Sequence, residues 1–410
     1  MNVYFHTFGC KANQYDTDQV RRAFAAAGAV AVDDLAAADL AVINSCTVTH
    51  ESEVKLRRLV RHVGRAARAE TIVMGCAAAR DDGTIAALPR VRAVVPNADP
   101  VDVLRAAGVG AHGGAQAHVP QRTRGLLKIQ DGCDERCTFC ATTLARGDNR
   151  SRPVAELVAE ARALAGQHAE IVLTGVHIGT WGQDRSHDGT TARGTLGGLL
   201  ETLIDAVPGV RFRLSSIEAT EVDDTIARLL IEAPRHVAAH LHAPLQSGSN
   251  RILKRMGRHW YTAESYRARI EWLAARLPVL GLGADVIAGF PGETDADYDA
   301  SLTLLHALPF TYLHVFPFSV RPDAPAAKLG DPVPPAVIRA RARELRALGE
   351  AKARGHRARR RGQRADGVVA GRQGGRVEAL TEDYLPVYVP TDRWNGAPGS
   401  PPPRFEVVID

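Results

Sequence analysis

From residue 125 to about residue 316 the chain repeats one pattern six times: a short apolar run, then a longer stretch with helical spacing. The runs lie at 126–129, 171–174, 212–215, 238–241, 282–287 and 312–316. The clearest helical stretches lie at 154–165, 196–206, 223–231, 263–277 and 295–308. Regular alternation of this kind implies a parallel sheet with helices outside, doubly wound or closed toward a barrel. Six units are too few to close an eight-stranded barrel, so a partial (β/α)6 barrel is expected. Loops at the carboxyl ends of barrel strands carry the chemistry. They gather Thr174, Gly175, Ser215, Ser216, Glu218, Gln246, Gly248 and the turn Gly289-Phe-Pro-Gly292 around one cavity. Turn chemistry by itself also favours Gly, Ser and Pro in such loops.

The first of these runs leads into Cys133-Asp-Glu-Arg-Cys137-Thr-Phe-Cys140, three thiols at CxxxCxxC spacing. Three soft ligands this close cannot pair off as disulfides without leaving one over, so a metal or an iron–sulfur cluster is the better expectation. The six cysteines fall into two sets of three, with Cys10, Cys46 and Cys76 upstream. A structural zinc or a closed cluster takes four protein ligands. Three thiolates leave one position open, as a catalytic centre requires. The plainer alternative for the local triplet is a zinc site completed by a nearby histidine.

The upstream cysteines have no short ligand spacing, but each follows a predicted strand, at 3–6, 40–43 and 71–74. Helical stretches at 17–27 and 52–69 have the length of crossovers in a parallel sheet. Ligands bind such sheets in the crevice at the carboxyl ends of the strands, so the three thiols are expected to converge. Gly9, Ser45 and Gly75 each precede a cysteine, and small residues let a bulky inorganic ligand approach the backbone. Otherwise the three would be buried cysteines acting as small hydrophobes. A helix at 101–107 ends this region. The glycine-rich stretch 108–120 reads as a linker; its GxGxxG pattern at Gly108, Gly110 and Gly113 follows a helix and is no dinucleotide site.

Several motifs occur together and in order: Phe8-Gly-Cys-Lys-Ala-Asn-Gln14, Asn44-Ser-Cys-Thr-Val-Thr49, the central triplet with Ala145-Arg-Gly147 and Ser151-Arg152, Leu173-Thr-Gly-Val176, Pro244-Leu-Gln-Ser-Gly-Ser249 and Gly289-Phe-Pro-Gly-Glu293. Over nearly the whole chain they resemble the radical S-adenosylmethionine (SAM) methylthiotransferases. Lys11-Ala-Asn-Gln14 is most similar to the branch that modifies threonylcarbamoyladenosine in tRNA. Two other branches act on isopentenyladenosine in tRNA and on an aspartate of a ribosomal protein. The resemblance implies two 4Fe-4S clusters, one on Cys133, Cys137 and Cys140 and one on Cys10, Cys46 and Cys76. SAM would be held by the strand-end residues named above. It implies reductive cleavage of SAM to a 5′-deoxyadenosyl radical, sulfur supplied at the upstream cluster, and a methyl group from a second SAM. The product would be the 2-methylthio derivative of N6-threonylcarbamoyladenosine. Implied partners are tRNA and a reductant such as flavodoxin or ferredoxin, with the sulfur donor left open. Two places depart from the family pattern: His177 stands where Asn is usual, and Ala141-Thr-Thr-Leu144 lacks the usual proline.

The formal net charge of +5 is unevenly spread, since residues 339–364 hold eleven Lys/Arg against two Glu and all other residues together sum to about −4. A concentrated basic run reads as a phosphate-contacting surface, with Arg339, Arg343, Arg354, Arg357, Arg359, Arg360, Arg361 and Arg364 as candidates, or else as a solvated helix face. Ile338, Ala342 and Leu345 form a stripe that docks this helix, with its arginines outward. Short strand patterns from residue 368 suggest a small β-domain of the TRAM type, which in this family binds RNA. The expected α/β organisation is therefore a methylthiotransferase sheet domain (1–107), a linker (108–121), the barrel (122–332), the basic helix (333–366) and the β-unit (367–410). No stretch has the length of a membrane span and no leader is evident, so the expected setting is the cytoplasm, where thiolates stay reduced. His240 and His242 share one face of a strand and read better as satisfied structural histidines than as ligands. A reading of a different class, a non-catalytic metal-cluster protein that binds RNA, would use the same cysteines only to hold the fold.

Overall fold

The three runs that end at the upstream cysteines are strands, and two further segments join them in one sheet. The structure, a computed structural model, describes residues 1–47, 50–66, 69–110, 123–184, 194–391 and 404–410. It begins with β1 (Asn2–Thr7), α1 (Lys11–Ala26), β2 (Val30–Val32), β3 (Leu40–Ser45), α2 (His50–Ala66), β4 (Glu70–Gly75), β5 (Val91–Val95) and α3 (Pro100–Ala107). The sheet is parallel throughout, in the order β2-β1-β3-β4-β5. Val42, Ile72 and Met74 pack on Val20 and Phe24 of α1, while Ile43 and Val73 pack on Leu56, Val60 and Val63 of α2. Burial on both faces is why β3 reads as a continuous apolar run. Helix α1 begins six residues before the predicted start because Cys10, with no capping side chain, is its N-cap; the usual Ser, Thr, Asp or Asn signal is missing. Most of the linker expected at 108–121 lies outside the described residues.

The barrel follows as β6 (Gly125–Lys128), β7 (Gln130–Asp131), α4 (Thr142–Arg146), β8 (Arg150–Ser151), α5 (Val154–Ala165), β9 (Glu170–Thr174), α6 (Leu196–Ala206), β10 (Arg211–Leu214), α7 (Asp224–Glu232), β11 (His240–His242), α8 (Asn250–Arg255), α9 (Ala263–Ala274), β12 (Gly281–Ala288), α10 (Asp295–Ala307) and β13 (Tyr312–Pro317). Two parallel sheets, β10-β9-β6 and β11-β12-β13, are joined through the bridges Phe212–Val237 and Ser216–His242 into one curved six-stranded wall. Leu127, Ile171, Leu173, Phe212, Leu214, Leu241, Leu282, Ala284 and Val286 point outward into a core shared with the helices. Their alternate neighbours line the concave side.

The wall is open between β6 and β13, and the N-terminal domain covers the gap. Tyr15 of α1 packs on Leu126 and Val172, and Asp16 pairs with both Lys128 and Arg146. On the other edge Arg321 bonds Glu53 and the Thr47 carbonyl, and Arg80 pairs with Asp323.

Helix α11 (Pro335–Arg360) leads to β14 (Arg364–Gln373), β15 (Arg376–Leu380), β16 (Pro386–Pro390) and β17 (Arg404–Val408), an antiparallel sheet in the order β16-β15-β14-β17. Ala342 and Leu345 enter the barrel core as the apolar stripe predicts. The expectation of outward arginines needs correction at two positions. Arg341 is buried on Glu293 and Asp295, and Arg360 is buried on Asp383, Glu382 and Gln363. The helix runs between the barrel and the terminal sheet, so these guanidiniums meet carboxylates from both. The sheet itself covers the amino ends of the barrel strands. There Arg211 and Arg213, both fully buried, flank Glu170 and reach across to Asp366 and the carbonyls of Leu380, Thr381 and Glu382. Among the described residues no helix is long and apolar enough to cross a membrane.

Candidate active site

Cys10, Cys46 and Cys76 follow the carboxyl ends of β1, β3 and β4, and Asn13, one turn into α1, ties them together. Its amide nitrogen donates to the carbonyls of Phe8 and Ser45, while its Oδ1 lies 3.7 Å from Cys10 Sγ and 3.8 Å from Cys76 Sγ. Gly9 has φ +100°, and a Cβ there would stand 2.8 Å from Cys46 Cβ and 2.9 Å from its sulfur. Only glycine lets these two loops meet.

The central triplet sits in the loop between β7 and α4. At its start Gly132 has φ +72°, where a Cβ would lie 1.9 Å from the Asp148 carbonyl oxygen. The loop is pinned by the Thr138 N–H on the Met256 carbonyl and the Ala326 N–H on the Thr138 carbonyl, both at 2.8 Å. Phe139 packs edge-on against Phe290. The Thr142 N–H donates to Cys140 Sγ at 3.3 Å, Arg258 Nη1 to Cys137 Sγ at 3.5 Å, and His177 Nδ1 lies 3.6 Å from Cys133 Sγ. In the first set Arg146 Nε donates to Cys76 Sγ at 3.3 Å.

Donors aimed at sulfur stabilise thiolate ligands and tune a cluster. Among the described residues only His242, Asp285 and His314 bring three possible ligand atoms within 4.8 Å of one another, so in each triplet at least one pair of sulfurs stands wider apart than that. A single tetrahedral zinc would hold its sulfurs roughly 3.8 Å apart; wider spacing suits the separated corners of an iron–sulfur cluster. The donor set therefore fits two clusters with three thiolates each. Burial pushes the Cys76 thiol up to about 11 and the Cys137 thiol up to about 12, opposed by Arg146 and Arg258. A bound metal displaces those protons.

Sequence reading gave no role to five residues that the geometry places here. Arg146 also contacts Asn13, Asp16 and Asp131, so it links the two triplets. Arg258 is paired with Glu218. Burial disfavours a charge on His177, but Cys133 and the Glu221 carboxylate, 2.7 Å from Nε2, more than offset it and hold the ring up to about 10. Arg146 and Asn13 were visible only as members of the motifs beside the cysteines; Arg258 and Glu221 lie in stretches with no ligand spacing at all.

Of the strand-end candidates, Thr174, Ser215, Ser216 and Gln246 stand at the rim of the concave wall. Glu218 has both oxygens engaged, by Arg258 and by Trp260 Nε1 at 2.9 Å. Gly175 is pressed against Gln130, and Gly248 against Ser301 of α10, where a Cβ would lie 2.6 Å from its Cα. Gly248 thus gives α10 a close approach to this loop. A separate cavity of about 760 Å³ opens where the domains meet, with Cys76, Arg146, Asp16 and Lys128 in its wall. Of the basic candidates, Arg339, Arg343, Arg354, Arg359, Arg361 and Arg364 are exposed, and Arg357 is half-buried on Asp410 and the Pro386 carbonyl. Arg360, buried in its ion pairs, presents no free guanidinium to a phosphate.

Residues 2–96 match the Uncharacterized protein family UPF0004 and residues 127–305 the Radical SAM superfamily. The threonylcarbamoyladenosine tRNA methylthiotransferase MtaB of Bacillus subtilis is 38% identical over 369 residues, covering 85% of this chain and 80% of that protein. The chain belongs to the radical SAM methylthiotransferases. Another relative in this family, the tRNA-2-methylthio-N(6)-dimethylallyladenosine synthase of Cereibacter sphaeroides, is 34% identical over 84% of this chain and 82% of its own length. In fold, this methylthiotransferase is similar to the radical SAM methyltransferase TsrM from Kitasatospora setae, with a TM-score of 0.57 at 14% identity, over 79% of this chain and 73% of that one.

Proposed function

We propose that this chain inserts sulfur and a methyl group at C2 of N6-threonylcarbamoyladenosine beside the anticodon of tRNA. The observation that carries the reading is the meeting of two three-cysteine sets across one domain boundary, linked by Arg146. In this reading Cys133, Cys137 and Cys140 hold one 4Fe-4S cluster and Cys10, Cys46 and Cys76 the other, with SAM at the rim near Thr174, Ser215, Ser216 and Gln246. When bound, these groups supply reductive cleavage of SAM, the sulfur and the methyl group.

The protein's own side chains prepare the site. Arg258, His177 and the Thr142 N–H balance charge on the central sulfurs, Arg146 does so at Cys76, and Tyr15 closes the flank of the barrel against water. Exposed arginines of α11 and β14, with Arg357, contact tRNA phosphates and set its register, while the cleft selects the base. The terminal β-unit adds a TRAM-type RNA surface. A flavodoxin or ferredoxin supplies electrons in the cytoplasm, and a separate donor supplies sulfur.

Mass spectrometry of tRNA nucleosides from cells with and without the gene tests the reading. Loss of the 2-methylthio nucleoside with accumulation of unmodified threonylcarbamoyladenosine supports it. Loss of the dimethylallyl 2-methylthio nucleoside instead, the substrate class of the second relative, overturns the choice of substrate.

A further inference from the structure

On the concave wall, below the strand-end rim, stands a polar cluster that the reading above does not use. His240 and His242 of β11, Asp285 of β12, and Tyr312 and His314 of β13 share the face opposite the outward Leu241, Ala284 and Val286. The Tyr312 ring lies across Gly283, where a Cβ would stand 2.0 Å from the ring. Its hydroxyl is thereby set 2.8 Å from His240 Nε2 and 3.1 Å from His242 Nδ1. His242 Nε2 lies 3.0 Å from Asp285 Oδ1, and His314 Nδ1 lies 3.3 Å from the same oxygen. The His242 side chain is 12% exposed, Asp285 24% and His314 57%, so the set runs from the wall into the open lumen.

A cation approaches from the facing domain. Lys11 is the first residue of α1, four before Tyr15, and so lies on the same stripe of the helix. Tyr15 packs on Leu126 and Val172, which line the lumen. Lys11 has no ion-pair partner among the described residues. Its charge is close enough to add, after burial, Arg213 and His242, to what keeps His240 neutral.

An ammonium with no ion-pair partner among the described residues, near His240 on a wall that also carries a carboxylate braced by imidazoles, in a cleft partly closed to water, matches a ligand bearing both an anion and hydrogen-bond donors. An alkenyl group on the base would leave these groups desolvated and unmatched. Resting on the reaction proposed above, we infer that this wall reads the amino-acid part of the modified base. Lys11 and His314 bind its carboxylate, and Asp285, held by His242, accepts from its hydroxyl or carbamoyl N–H.

The test uses the cluster-loaded enzyme with SAM and an anticodon stem-loop RNA carrying threonylcarbamoyladenosine or its carboxyl methyl ester. For the natural chain the ester should bind about 10- to 100-fold more weakly, the usual size of a lost charged hydrogen bond. For Lys11→Met and His314→Gln the acid should weaken by a similar factor while the ester changes little; iron content and cluster absorbance verify that the variants are folded. Equal binding of acid and ester by the natural chain, while it still methylthiolates the acid, overturns the pocket and leaves the reaction intact. Modification of the isopentenyl RNA in place of the acid overturns both. A divalent ion held by the loaded enzyme and lost on Asp285→Asn would make the set a metal site and overturn the assignment.

Discussion

Arg146 carries several contacts at once: it donates to a sulfur of the first cysteine set, pairs with Asp16 and Asp131 and bonds Asn13, while lying six residues beyond the last cysteine of the second set. Removing a cysteine should separate the two centres. Cys10→Ala is expected to lower bound iron from about eight to about four atoms per chain. It should abolish methylthiolation while 5′-deoxyadenosine is still formed on reduction. Equal loss of both activities would sink the division of labour. Arg258 supplies the nearest positive charge to Cys137. Arg258→Met should shift the potential of the central cluster downward, on the order of 50–100 mV, as read by EPR during a redox titration. Residues of this kind were hidden in the sequence. The cysteines announced themselves by spacing and by their place after strands, whereas Arg258 and Glu221 reach the site only through the fold. His177 was noticed as a departure from the family pattern, yet its contact with Cys133 depends on how the β9 loop turns back.

At the scale of elements, α11 shows how far charge counting goes. The basic run was plain, and its apolar stripe correctly predicted docking, but composition could not separate arginines that face water from those that meet carboxylates of the barrel and the terminal sheet. The two kinds should respond differently. Arg343→Glu together with Arg354→Glu is expected to weaken tRNA binding and reduce its salt dependence, with little change in melting temperature. Arg360→Ala removes one of the two basic partners of Asp383, which is fully buried in its side chain and keeps His356 and Thr381, and should cost about 1.5–3 kcal/mol of stability. Glu170 makes the same junction pH-sensitive. Burial would raise its carboxyl, but Arg213 and Arg211 hold it well below its ordinary 4.5. A value depressed in the folded state means that the stabilisation is complete above about pH 4.5 and is lost as the pH falls below it. Limited proteolysis near residue 362 should therefore accelerate on acidification below that point, and Glu170→Gln should flatten the dependence.

For the whole molecule, the three-part organisation was legible because each part has its own periodicity: strands ending in cysteine, six β–α units, then short alternating strands. How the parts sit together was not legible. Nothing local in Tyr15 or Asp16 says that α1 closes the open side of the barrel, and nothing in Arg211 or Arg213 says that they await the last strands of the chain. That last contact bears on the order of events during synthesis. The floor of the barrel is completed by residues 366–383, so until they are made Arg211 lacks Asp366 and both guanidiniums lack the carbonyls of 380–382, with only Glu170 between them. The barrel cannot reach its final packing until translation has passed residue 383. Cluster sites held by a fully packed barrel are therefore available only after the terminal sheet has been made.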